Sequence, residues 1–288
     1  VKANVKAVVG HLLSGTSVAT AQIYADSGIV HVVPSATNPR LTNMGIKSIF
    51  RLIGNDAYLG AGLAGWVVQQ PIEPVIYVIS EGSPYATGMA SVFIEGVERF
   101  GGVIAGRMTV GGDTGNTGEL IAQLKQSGAN WVFYAGMPER AGPLLRKMRE
   151  GGISMRMLGG DTLCTQTMLT LAGQAVNYGE VVCAEAGITE GTLDDHYQQF
   201  QARFQKRFNK PVEMFAGHAY DSVRVAVAAM KAADSMEPAD YLPKLAALKF
   251  DGVIGPIQFD KYGDLQSGMI TLKSTNGKSY FKLAVGYI

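Results

Sequence analysis

Charge is scarce in this chain of 288 residues: Asp, Glu, Lys and Arg together make up 17% of it, and the formal net charge is +1. Such a composition lacks the basic field that holds nucleic acid or anionic lipid, so neither is an expected partner. Long apolar runs are missing as well. No stretch reaches the roughly 18 residues that a membrane span needs, and the first residues lack the charged, then apolar, then small pattern of a secretion signal. Cysteine occurs twice and histidine four times. His11, His31, His196 and His218 have no metal-ligand spacing, and Cys164 has no base near it in sequence, so the residues indicate neither a metal centre nor an enzyme, and no cofactor is called for. The 36 glycines are scattered with no Gly/Ser tract, which speaks for many tight turns rather than a linker.

What is present is a hydrophobic fraction of 47%, enough for real cores, and a length that predicts about two domains. The chain is organised around Val5-Lys6-Ala7-Val8-Val9-Gly10-His11-Leu12-Leu13-Ser14-Gly15-Thr16-Ser17. Its first half is the nearly continuous β-branched run of a parallel strand covered on both faces. The period then changes, and Val18, Ala21, Ile23 and Tyr24 keep one side of a helix apolar until Gly28 stops it. The turn puts Ser14, Thr16 and Ser17 at a helix N-terminus, where backbone N–H groups lack partners and the dipole is positive. Hydroxyls there either cap the helix or join the free N–H groups around a ligand carboxylate or phosphate. Before this strand, Val1-Lys2-Ala3-Asn4 reads as the last turn of a helix, with Asn4 at the left-handed position that ends it.

A second apolar strand, Gly28 to Val33, ends in Pro34-Ser35-Ala36-Thr37-Asn38-Pro39. Parallel strands carry ligand sites beyond their carboxyl ends, so Ser14 and Thr37 should face one crevice. Ile49-Phe50-Arg51-Leu52-Ile53 is a third strand, followed by a helix from Asp56 to about Gln70. Inside that helix Gly60-Ala61-Gly62-Leu63-Ala64-Gly65 spells a dinucleotide fingerprint, but the glycines lie a turn past the helix start, so close helix packing is the expected role. Pro71 and Pro74 mark a domain crossing. A fresh series of strands and helices then begins at Val75, with carboxyl-end loops at Ser80-Tyr85, Ala135-Pro138 and Gly159-Thr162. The alternation predicts an α/β fold with an open, doubly wound parallel sheet in each half. The last third reads as an amphipathic helix from Leu193 to Phe208, a largely buried helix from Phe215 to Ala233, and an antiparallel ending from Met269 to Tyr287 with a turn at Thr275-Asn276-Gly277.

Taken together, Gly10-His11-Leu12-Leu13-Ser14, Pro34-Ser35-Ala36-Thr37-Asn38-Pro39 with Leu41-Thr42, Tyr85-Ala86-Thr87-Gly88, Gly159-Gly160-Asp161, and Gly255-Pro256-Ile257-Gln258-Phe259-Asp260 with Gly263-Asp264 resemble the leucine/isoleucine/valine-binding family of type I periplasmic solute-binding proteins. The resemblance covers essentially the whole chain. It implies two α/β lobes, residues 1–70 plus 188–252 and 71–187 plus 253–288, joined by crossings near Gln70, Gly187 and Gly252. It further implies periplasmic binding of an amino acid for delivery to the permease subunits of an ABC transporter, with a ligand-sensing domain of the same fold as the alternative. Carried over by position, Ser14 and Thr37 hold the ligand carboxylate, and the Ser35 carbonyl with Asp161 holds its ammonium. Elementary electrostatics asks for the same pairing, because each charge of a zwitterion taken out of water must be met. Leu12, Leu13, Ala36, Tyr85, Met137 and Phe215 match ligand-contact positions, which favours an aliphatic or aromatic side chain such as that of leucine, isoleucine, valine or phenylalanine. Plain core remains open for Phe215. The disulfide that some members form through the position of Leu13 has no counterpart, whereas Cys164 and Cys183 either pair in an exported protein or stay buried thiols. The resemblance also leads us to expect an opening βαβ portion and an export signal before Val1, without which the first lobe should self-associate or bind weakly.

Overall fold

The computed structural model describes residues 3–111, 117–187, 195–266 and 268–287. Along the chain the elements are β1 (Ala7–Val9), α1 (Ser14–Asp26), β2 (Val30–Val33), α2 (Arg40–Asn43), β3 (Ile49–Arg51), α3 (Asp56–Val68), β4 (Val75–Ser80), α4 (Pro84–Arg99), β5 (Val103–Thr109) and α5 (Thr117–Gln126). There follow β6 (Trp131–Ala135), α6 (Pro138–Glu150), β7 (Arg156–Gly159), α7 (Gln166–Ala172), β8 (Tyr178–Ala186), α8 (Asp195–Phe208), α9 (Ala216–Ala233), α10 (Pro238–Ala246), β9 (Phe250–Gly252), β10 (Gly255–Ile257), β11 (Met269–Asn276) and β12 (Tyr280–Tyr287). Leu193, the expected start of α8, lies outside the described residues, as do Val1 and Lys2. Asn4 has a φ of 52°, the left-handed conformation expected of it.

These elements form two compact units. The first comprises Val1–Asn55, Gly187–Met269 and Tyr287–Ile288. Its sheet has the order β1-β2-β3 with all strands parallel. Every residue of β2 is buried, because the sheet is covered on both faces. Val30 and Val32 pack with Phe50 of β3 and Leu52 just after it, and with Val225, Ala229, Tyr241 and Phe259 from α9, α10 and the segment after β10. On the other face Val33, Ala21, Leu41 and Ile49 form a smaller core with α1 and α2. The strand expected from Val5 is shorter than the apolar run, since Val5 stays 42% exposed and pairing starts only at Ala7.

The second unit comprises Asp56–Ala186 and Ile270–Gly286. Its seven-stranded sheet runs β12-β11-β8-β7-β6-β4-β5; β4 to β8 are parallel, and β11 returns antiparallel against β8. The division of the chain differs from the lobe boundaries expected from sequence. Residues 56–70 belong to the second unit, because α3 is fastened to α4: a Cβ on Gly60 would stand 2.6 Å from Val92, and one on Gly96 would stand 2.8 Å from that of Ala64. Of the glycines in the apparent fingerprint, Gly60 thus serves helix packing. Residues 253–269 belong to the first unit instead, since β9 and β10 form a hairpin whose Ile257 joins its core. Cys164 and Cys183 are joined in a disulfide, with Cα atoms 5.6 Å apart.

Candidate functional site

In the first unit the loop from β1 into α1 and the loop from β2 into α2 leave the same sheet at the carboxyl ends of adjacent strands. Leu13 is the N-cap residue of α1, in extended conformation and with no side-chain bond to the first-turn amides. Ser14 therefore opens the helix rather than capping it. It is buried at 3% exposure, and its Oγ accepts the N–H of Asn38 at 3.3 Å, which leaves the hydroxyl proton to donate elsewhere. Ser17, also buried, is consumed internally: its Oγ accepts from the His11 N–H at 3.2 Å and donates to the His11 carbonyl at 3.3 Å. Ser35 ties the loops together by donating to the carbonyls of His11 and Leu12, each at 3.2 Å. Ala36 is buried beside it.

Thr37 is 1% exposed, and among the described residues neither its hydroxyl nor its N–H finds a hydrogen-bond partner. The Thr37 Oγ1 is not one of the buried side-chain atoms without a partner, so it keeps contact with solvent and can donate to a ligand acceptor. Around these donors Leu12 and Leu13 are 65% and 47% exposed. Phe215 is half-buried rather than core, sits directly before α9 at a φ of 68°, and meets the His218 ring edge-on at 6.4 Å. The left-handed region costs a non-glycine residue about 1–2 kcal/mol, so its surroundings hold this aromatic in place. Burial pushes both His218 and His31 down to about 4. The Nε2–H of His31 donates to the Gly10 carbonyl at 2.7 Å, and the neutral ring packs against His11 and Tyr24.

In the second unit the loops after β4, β6 and β7 carry the remaining candidates. Ser83 caps α4 by accepting the Ala86 N–H at 3.1 Å and so sets Tyr85 in the first turn. The Tyr85 hydroxyl donates to Asp161 Oδ1 at 2.9 Å, and the Thr162 N–H donates to the same oxygen at 2.9 Å. Asp161 is 2% exposed; burial raises its carboxyl from 3.8 to about 6, against the pull of those two donors. Burial, with Asp161 alongside, also holds the Tyr85 hydroxyl well above its ordinary range, so it stays a donor. Gly160 admits this contact, for a Cβ there would come within 2.4 Å of the Tyr85 oxygen. Met137, half-buried at the start of α6, is fixed by its N–H donating to Glu81 Oε1 at 3.0 Å; the Tyr134 hydroxyl donates to that oxygen at 2.6 Å.

The candidates thus divide by unit: Ser14, Ser35, Ala36, Thr37, Leu13 and Phe215 in the first, and Tyr85, Met137 and Asp161 in the second. Sequence reasoning missed Asn38, Glu81, Thr162 and above all Arg51, whose buried guanidinium pairs with Asp264 and bonds the carbonyls on either side of Thr37. The available signal was a single charge inside the apolar run Ile49 to Ile53.

Two α/β units whose open donors and buried carboxyl lie beyond the carboxyl ends of parallel strands define a small-molecule binding protein. The chain belongs to the periplasmic binding protein family: a family model described as "Periplasmic binding protein" matches residues 1–278. Among curated relatives, the Leu/Ile/Val-binding protein homolog 1 of Brucella suis is 29% identical over 90% of this chain and 69% of its own length. Among solved structures, an ABC transporter substrate-binding protein from Desulfitobacterium hafniense in complex with Leu is 25% identical and superimposes with a TM-score of 0.80 over 98% of this chain and 81% of that one. The branched-chain amino acid transporter substrate-binding protein of Streptococcus pneumoniae shares the fold at a TM-score of 0.85 and 23% identity, over the whole of this chain and 80% of that one. Among the described residues no helix is long and apolar enough to cross a membrane.

Proposed function

We propose that this chain binds a free aliphatic or aromatic α-amino acid in the periplasm and delivers it to the permease subunits of an ABC transporter. Ser14 and Thr37 donate to the ligand carboxylate, and the Ser35 carbonyl and Asp161 receive its ammonium. The observation that carries this reading is that the first unit holds donors at Thr37 that no protein acceptor fills and the second holds a buried carboxyl at Asp161, each of which gains from a ligand charge of the opposite kind. An acid alone would leave Asp161 unmet, and an amine alone would leave Thr37 unmet. The exposed Leu12 and Leu13 with the half-buried Met137 and Phe215 offer apolar contacts to the ligand side chain, and the relatives named for leucine, isoleucine and valine support the aliphatic choice.

A thermal-shift screen of the twenty amino acids followed by titration calorimetry tests this. Leucine, isoleucine, valine or phenylalanine should stabilise the protein. Thr37→Val and Asp161→Ala should each weaken binding by about a hundredfold or more, since removing one partner of a desolvated charge costs roughly 2–5 kcal/mol. Unchanged affinity in both variants would falsify the assignment.

A further inference from the structure

Arg51 ends β3, and its side chain is fully buried among apolar neighbours in sequence. A guanidinium taken out of water needs its charge and its five N–H groups met. Here every one is. Nε donates to Asp264 Oδ1 at 2.8 Å; Nη2 donates to Asp264 Oδ2 at 2.9 Å and to Thr42 Oγ1 at 2.8 Å; Nη1 donates to the carbonyls of Asn38 at 2.8 Å and Ala36 at 3.3 Å. Asp264 is held in turn by the Asn55 side chain at 3.1 Å and by its own N–H donating to Asp260 Oδ1 at 2.9 Å.

Fold stability alone does not call for this arrangement, because a buried ion pair is often no better than apolar residues of the same volume. The last two acceptors are the informative ones, since they flank Thr37. The Ala36 carbonyl and the Thr37 N–H are opposite ends of one planar trans peptide, so a carbonyl drawn toward Arg51 aims that N–H the other way. The Asn38 carbonyl fixes the far side of Thr37, while the Asn38 N–H reaches Ser14 Oγ. One guanidinium therefore governs both carboxylate donors, Thr37 directly and Ser14 through Asn38.

We propose that Arg51, locked by Asp264, is a positioning residue that sets the donors for the ligand carboxylate; this rests on the function proposed above. Lysine cannot replace it, because a single ammonium does not span two carbonyls, a hydroxyl and a carboxylate in one plane. The test is calorimetry with L-leucine on the unmodified protein, Arg51→Lys and Thr37→Val, joined to the NMR resonance of the Thr37 amide with and without L-leucine.

In the unmodified protein leucine should move that amide downfield. Arg51→Lys should keep a folded amide spectrum, lose the displacement, and bind leucine at least tenfold more weakly. Wild-type affinity in Arg51→Lys together with loss in Thr37→Val overturns the role of Arg51 and leaves the ligand site standing. Wild-type affinity in both removes the site as well. Should Arg51→Lys fail to fold, the unmodified protein still decides: the Arg51 Nη protons should be separately resolved and slow to exchange with or without leucine, and averaged, fast-exchanging protons overturn the proposal.

Discussion

Asp161 carries the chemistry that pH can reach. Its carboxyl titrates at about 6 in the folded protein against 3.8 ordinarily, so the folded state holds that proton more tightly than the unfolded chain does. Its contribution to stability is accordingly greatest at low pH and declines as pH rises from about 4 to about 6. Ligand affinity runs in the opposite sense. An ammonium against Asp161 favours the ionised form, so below about 6 binding must first expel a proton, and leucine should bind about tenfold more weakly at pH 5 than at pH 7. The ligand's own groups do not titrate in that window. Calorimetry across this range checks it, and Asp161→Asn should bind weakly throughout with the slope gone; a slope that survives in that variant would assign it to another group.

At the scale of elements, the turn carrying Asp161 is bolted from below. Cys164 follows that turn, its N–H donating to the Asp161 carbonyl at 2.9 Å, and its disulfide reaches Cys183 on β8, the strand paired with β7. The bridge closes a loop with a sequence separation of 19, which is expected to stabilise by roughly 3 kcal/mol on the chain-entropy model. The protein isolated without reductant should resist alkylation and show the mass of the disulfide form, and Cys164→Ser with Cys183→Ser should lower the melting temperature. Two thiols that alkylate freely in the native protein would contradict this. Elements also show what the sequence made legible. The change of period from β1 to α1 and from β2 to the following loop marked Ser14 and Thr37, because strand ends are local features. The boundary misplaced at the prolines after α3 turned on a tertiary matter, the glycine face of α3 meeting α4. Likewise Arg51 declared a need for a partner, but nothing local said that Asp264 would supply it.

At the scale of the molecule, both units are assembled from separated stretches of chain, the first from residues on both sides of the second. A ligand that binds only the folded state at a hundredfold excess over Kd adds about 2.7 kcal/mol. For a chain of this size that is a rise in melting temperature of roughly 5 °C, readable in the amino-acid screen. The ion pair of Arg51 and Asp264 joins positions 213 residues apart, and the Lys261–Asp264 turn lies so close to β3 that a Cβ on Gly263 would stand 2.0 Å from the Ile49 carbonyl. A ribosome therefore adds more than two hundred residues after Arg51 before the partner of Arg51 exists. Until then β3 carries an unmet charge, and the loop it supports has nothing to hold its shape, while most of the second unit's sheet is already available to form. Pulse-labelled hydrogen exchange during refolding should show β4, β6 and β7 gaining protection before β3, with leucine binding recovered only alongside β3. Protection appearing at all four strands together would mean that the order of synthesis leaves no trace in the order of folding. Otherwise the nascent protein gains its capacity for ligand only once the Asp264 segment has been made, long after β1, β2 and β3 themselves.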